Sequence, residues 1–100
     1  MRLVIELGPG ARDDFDDAVF WYEAQERGLG VKLIRAVNEA LDRIQFFPFS
    51  FPVIHGTNVR RVVVGKFPFS IIFVPELERI YVYSVFHTSR NPIIWRGRID

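Results

Sequence analysis

His87 and Arg90 stand three residues apart near the C-terminus, and together they are the side chains in this chain best suited to work on a phosphate. A histidine exchanges a proton near neutral pH. An arginine beside it can hold a phosphate while negative charge builds on it. The pair would suit attack of a ribose 2′-hydroxyl on the neighbouring phosphate. The structural alternative is a histidine ring that hydrogen-bonds the following segment and fixes its path. A second basic group, Arg60, Arg61 and Lys66, falls on or beside one β-branched stretch. A guanidinium fork can grip two phosphate oxygens. Neighbouring strand residues point to opposite faces, so at most one of Arg60 and Arg61 faces a given ligand.

Aromatic residues lie near these groups. Tyr81 and Tyr83 share strand parity with His87, which predicts one common face. Their rings, and Tyr83 above all, could stack on bases, or they could be ordinary strand packing. Trp95 with Arg96 and Arg98 could bind a target in the same way or pin the tail down. His55 has no evident partner and reads as structural. Two distant histidines and no cysteine give no metal-site spacing. Neither a glycine-rich phosphate loop nor a Ser–His–Asp signature is present. No cofactor is implied.

The elements that must position these residues can be read from periodicity. Leu3 to Leu7 predicts a short strand, broken by Gly8-Pro9-Gly10. Pro9 suits the first turn of a helix, where its missing N–H costs nothing. Asp13, Asp14, Asp16 and Asp17 would complement the helix dipole. Phe15, Ala18, Val19 and Tyr22 form one helical face, and the helix should fade near Arg27-Gly28. A second helix from Leu29 carries the stripe Ile34, Val37, Leu41 and Ile44, and it ends at Phe46-Phe47-Pro48. Gly28 and Gly30 make the pair an antiparallel hairpin. Pro48 to Asn58 predicts a loop. Val59 to Lys66, Phe69 to Val74 and Arg79 to His87 predict three strands in an antiparallel meander, the last two joined by a turn at Pro75-Glu76-Leu77-Glu78. The conformation of Thr88 to Asp100 is left open. The fold class is therefore α+β: an N-terminal strand, then a two-helix hairpin packed on one face of an antiparallel sheet, the other face being left to bind.

Composition bounds the function. One hundred residues suit a single domain, 1–100, with one small core. Apolar residues make up 49% of the chain and include ten phenylalanines, some of which suit a partner-binding surface. The absence of cysteine excludes disulfide scaffolds and thiol nucleophiles. The stretch Met1 to Glu6 has no long apolar run, so no signal peptide and no membrane span are expected, and a cytoplasmic location is. Residues 1–58 carry six Lys/Arg against nine Asp/Glu, whereas residues 59–100 carry seven against three. The basic C-terminal half points toward a polyanion, or is simply a solvated face.

Taken in order, these segments resemble the RelE/ParE superfamily of toxins from type II toxin–antitoxin systems. The matching pieces are Phe20-Trp21-Tyr22-Glu23 with Gly28-Leu29-Gly30, then Ala40-Leu41 with Ile44 and Pro48. Arg60-Arg61 and Lys66-Phe67-Pro68-Phe69 follow. His87-Thr88-Ser89-Arg90-Asn91-Pro92, with Trp95 and Arg98, closes the set. The resemblance spans nearly the whole chain and implies a growth-inhibiting, plasmid-stabilizing toxin. It also implies a cognate antitoxin that wraps the toxin with a helix or an extended segment. ParE-like members poison DNA gyrase and need no catalytic residue. RelE-like members cut messenger RNA in the ribosome without a metal. Carried over by position, the residues of cleaving members would be Arg61, Lys66, His87 and Arg90; Arg60, Tyr83, Arg96 and Arg98 are further target-binding candidates by their own chemistry. Two departures count against cutting: no tyrosine follows His87, and the basic density is modest.

Overall fold

The computed structural model describes residues 3–99; Met1, Arg2 and Asp100, part of the terminal stretches considered above, lie outside the described residues. The chain begins with strand β1 (Val4–Leu7) and continues into helix α1 (Pro9–Gln25). Helix α2 (Leu29–Phe46) follows, then strands β2 (Val53–His55), β3 (Val59–Val63), β4 (Phe69–Pro75) and β5 (Arg79–His87). A one-turn helix α3 (Ile93–Arg96) lies in the tail. The five strands form one sheet in the order β1-β5-β4-β3-β2. The meander β3-β4-β5 is antiparallel as its short links require, and β1 joins it parallel to β5, so the sheet is mixed.

Pro9 opens α1 as its missing N–H predicts, and Gly8 supplies an extended N-cap. The acids of α1 do not sit in the first turn, so the dipole is not what holds Asp14 in place; its role appears below. The helix hairpin is tight because of two glycines. Gly28 adopts φ 90°, which L side chains rarely tolerate. A Cβ on Gly30 would meet the Val19 carbonyl oxygen at 3.0 Å. The Glu23 carboxylate accepts the N–H groups of Gly28 and Gly30, both at 3.0 Å, and so ties the end of α1 to the start of α2.

The buried stripe of α2 is Leu33, Val37, Ala40 and Ile44, while Ile34 is 37% exposed. The stripe is rotated by one residue from the one expected, because the sequence offers apolar residues at both 33 and 34. It packs with Ala11 and Ala18 of α1 onto Val62, Ile71, Phe73, Ile80 and Val82 of the sheet. Each fully buried side chain of this size contributes about 1.5–3 kcal/mol.

Two further differences from the sequence reading matter for the site. The expected loop at residues 48–58 contains β2, a three-residue edge strand whose pairing with β3 is irregular. A strand this short carries too little periodicity to stand out. The second face of the sheet is also not left open. The tail crosses it and buries Trp95 against Val59, Ile72 and Phe86.

Candidate functional site

Strand β5 carries an extra residue. Ile72 lies opposite Ser84 but Phe73 lies opposite Val82, so Tyr83 has no partner on β4 and forms a β-bulge. The bulge changes the phase of the strand. Val82 and Val85, three residues apart, both belong to the helix-side core, and His87 follows Val85 in phase, opposite Phe69. Tyr83 packs on the tail side. The common face expected for Tyr81, Tyr83 and His87 therefore does not exist. Strict alternation predicts it, and one inserted residue undoes it.

Beyond Val82, β5 outruns β1, whose last paired residue is Leu7. The uncovered edge is met by side chains. Asp14 Oδ2 accepts the Val85 N–H at 3.1 Å and the Ser84 hydroxyl at 2.7 Å. Arg98 closes the arrangement from the tail. Its Nη1 donates to Asp14 Oδ2 at 2.6 Å and to the Tyr83 carbonyl at 3.1 Å, and its Nη2 donates to Asp14 Oδ1 at 3.1 Å. The hydrogen bonds that Arg98 donates to Asp14 hold its guanidinium above its ordinary pKa, against the opposing effect of burial. A carboxylate on α1 thus stands in for a missing strand partner and anchors the tail.

Between α1, the end of β5 and the tail lies a cleft of about 340 Å³. Ala18, Trp21 and Tyr22 form its α1 wall, and Val85 and His87 form its β5 wall. Arg90 and Ile94 close it from the tail, and Asp17 lies at the rim. The His87 ring meets Phe69 edge-to-face at 5.0 Å. Its Nδ1 accepts the backbone N–H of Ser89 at 3.1 Å, and the Ser89 hydroxyl lies 2.7 Å away. In the neutral ring the proton therefore sits on Nε2. Arg90 is turned back by its own N–H, which donates to the His87 carbonyl at 3.0 Å. Arg90 joins no ion pair among the described residues.

The other sequence-predicted residues scatter. Arg61 lies opposite Ile72, on the tail side of the sheet and exposed. Lys66 is exposed in the β3–β4 turn. Arg60 points to the helix side and is used internally. Its Nη1 donates to the carbonyls of Phe49 at 3.1 Å and Phe51 at 2.8 Å, and its Nε donates to Asn58 Oδ1 at 3.2 Å. Tyr83 is half-buried beside Tyr81, with ring centroids 5.1 Å apart. Burial raises its phenol above the usual pKa, with Glu76 and Tyr81 adding to the effect and Arg79 opposing it. Arg96 lies over the Trp95 ring at 5.3 Å. His55 packs edge-on against Trp95 at 5.9 Å, in keeping with a structural role. So the structure brings His87 and Arg90 together and separates them from Arg61. Sequence reasoning missed Asp14, Ser84 and Trp21 as site residues. Asp14 and Arg98 are 84 positions apart, and no local signal joins them.

No family model matches the sequence, and no curated protein matches it. Solved structures do. One is the chromosomal ParDE TA system from P. aeruginosa: 17% identity, 86% of this chain and 96% of that chain covered, TM-score 0.71. The chain has the RelE/ParE toxin fold. A second structure with this fold, the YoeB dimer from Staphylococcus aureus, is likewise 17% identical, with 85% of this chain and 95% of that chain covered at TM-score 0.61. Both likenesses cover most of each chain. Within this fold, the bulge at Tyr83, the Asp14–Arg98 pair and the cleft are features of this chain's own residues. Among the described residues no helix is long and apolar enough to cross a membrane.

Proposed function

We propose that the protein is the toxin of a type II toxin–antitoxin module, held inactive in the cytoplasm by a cognate antitoxin protein, and that it arrests growth by acting on DNA gyrase as ParE-like toxins do. The observation that carries the choice of target is the separation of Arg61 from His87 on opposite faces of the sheet. A metal-independent nuclease needs an acid or base and its phosphate-binding cations around one phosphorus atom. Here His87 and Arg90 share a cleft with Asp17, while Arg61 and Lys66 lie elsewhere. Asp17, exposed at the cleft, opposes a phosphate placed beside His87. On this reading His87 and Arg90 are structural or partner-binding groups, and no residue is catalytic.

The alternative is a RelE-like, ribosome-dependent mRNA endoribonuclease, and the pairing of His87 with Arg90 is what favours it. One pair of assays separates the two. Primer extension on mRNA in a ribosome-containing translation reaction is run with the wild type and with His87→Ala. Plasmid supercoiling by gyrase is run with the same proteins. The expected result is gyrase-dependent cleaved DNA, no discrete mRNA cuts, and toxicity retained in His87→Ala. Cuts from the wild type that vanish in His87→Ala would establish the nuclease instead.

A further inference from the structure

The cleft is bordered by strand edge as well as by side chains. In an antiparallel ladder, alternate residues turn their N–H and C=O away from the partner strand. The Val85 N–H leaves β4 to meet Asp14, which places Val85 and His87 in the outward phase. The Val85 carbonyl and the His87 N–H therefore face the cleft. No turn, cap or side-chain hydrogen bond among the described residues reaches either of them. The neighbouring outward groups are already taken: the Val85 N–H by Asp14, the Tyr83 carbonyl by Arg98, and the His87 carbonyl by the Arg90 N–H.

This pattern selects an orientation. An antiparallel partner residue bonds the N–H and C=O of one and the same residue, and at both Val85 and His87 one of the two is occupied. A parallel partner residue bonds the C=O of one residue and the N–H two positions on. Val85 and His87 offer that combination around Phe86. An incoming strand would thus run in the direction of β1, in the lane that β1 leaves at Leu7.

The charges select a sequence. Helix α1 runs alongside β5, with Asp14 at Val85 and Tyr22 near Phe69, which itself contacts His87. The acidic rim, with Asp17 exposed, therefore lies toward Val85, and Arg90 lies toward His87. We infer that this cleft receives an extended segment of another polypeptide. The segment adds as a short parallel strand beside Val85–His87, with a basic side chain before the bridging residue and an acidic one after it. The basic stem would lie on Ala18 with its charge at Asp17, and the carboxylate would meet Arg90. Backbone bonds of this kind supply affinity, and the flanking side chains supply order. The inference is independent of the toxin's target and of the toxin reading itself.

The test uses two capped pentapeptides of one composition, acetyl-Val-Lys-Val-Glu-Val-amide and acetyl-Val-Glu-Val-Lys-Val-amide, titrated into the full chain. Amide exchange at His87 and NMR shifts at Trp21 serve as readouts. The first peptide should slow exchange at His87 and bind about tenfold more tightly than the second. N-methylation of its central valine should abolish binding. Arg90→Glu, an exposed substitution that leaves the fold intact by circular dichroism, should lose or invert the preference between the peptides. Equal binding of the two, binding without protection of the His87 amide, or no binding of either would overturn the inference.

Discussion

The two faces of the sheet are closed in different ways. On the helix side, aliphatic side chains from α1 and α2 interlock with seven buried strand residues, supplemented by hydrogen bonds from Arg43 to the Val63 carbonyl and from Gln45 to the Leu3 carbonyl. On the tail side, a four-residue helix brings one indole onto three residues, and a single ion pair fastens the end of the chain. The tail side also strands a polar atom. The Ser70 hydroxyl, 1% exposed, has no hydrogen-bond partner among the described residues. The helix side is thus a packed interior that sets stability. The tail side is a tethered cover, and its energy is concentrated in a few contacts.

Substitutions can break that contrast in order of size. Phe73→Ala removes a fully buried ring from the helix side, and urea denaturation should show a loss of about 3–5 kcal/mol. Asp14→Ala removes the acceptor of Arg98, Ser84 and the Val85 N–H together. The group is partly screened, so a loss of about 1–3 kcal/mol is expected. The sharper sign is an exposed Trp95: in a Trp21→Phe background, its fluorescence should shift red in Asp14→Ala at a temperature where circular dichroism still reports a folded chain. Equal unfolding of core and tail would mean that the two faces are one cooperative unit. Ser70→Ala should raise stability by up to about 1 kcal/mol, since it deletes an unsatisfied hydroxyl.

The smallest expected effect is with pH. The folded Tyr83 phenol titrates above its ordinary value of 10.0, chiefly because it is buried. The native state then holds the proton after the unfolded chain has released it. Stability from this source is complete below about pH 10 and is lost as pH rises through the folded value. Melting temperature should fall more steeply above about pH 10 in the wild type than in Tyr83→Phe; parallel curves would show that Tyr83 does not report on the tail cover.

The helix side is also the part that was legible in sequence. The hairpin, its glycine link, the meander and the proline at the start of α1 follow from local spacing, and the slips in the α2 stripe, Ile34 for Leu33 and Leu41 for Ala40, are choices between adjacent apolar residues. The tail side was not legible. Its contacts join residue 14 to residue 98 and residue 95 to the middle of the sheet, and such pairs leave no periodicity. The candidate site was half legible. His87 and Arg90 were found from their chemistry, but their relation to Arg61 and Tyr83 turns on a bulge. Nothing in the run Arg79 to His87 marks which residue is the extra one. Arg60 illustrates a further limit: its charge suggested a ligand, yet its donors serve the backbone of Phe49 and Phe51.

That bulge has a genetic meaning. Strand β5 is a ruler with one tick inserted, and the bulge absorbs that tick locally, so that the residues beyond it keep their surface. Loss of the Tyr83 codon would leave Val82 opposite Phe73 and Ser84 opposite Ile72, a regular ladder in which His87 still lies opposite Phe69. A codon gained or lost between Tyr83 and His87 with no bulge to absorb it, far more than a substitution, is the change by which a lineage with this fold could move its histidine across the sheet to the side of Arg61.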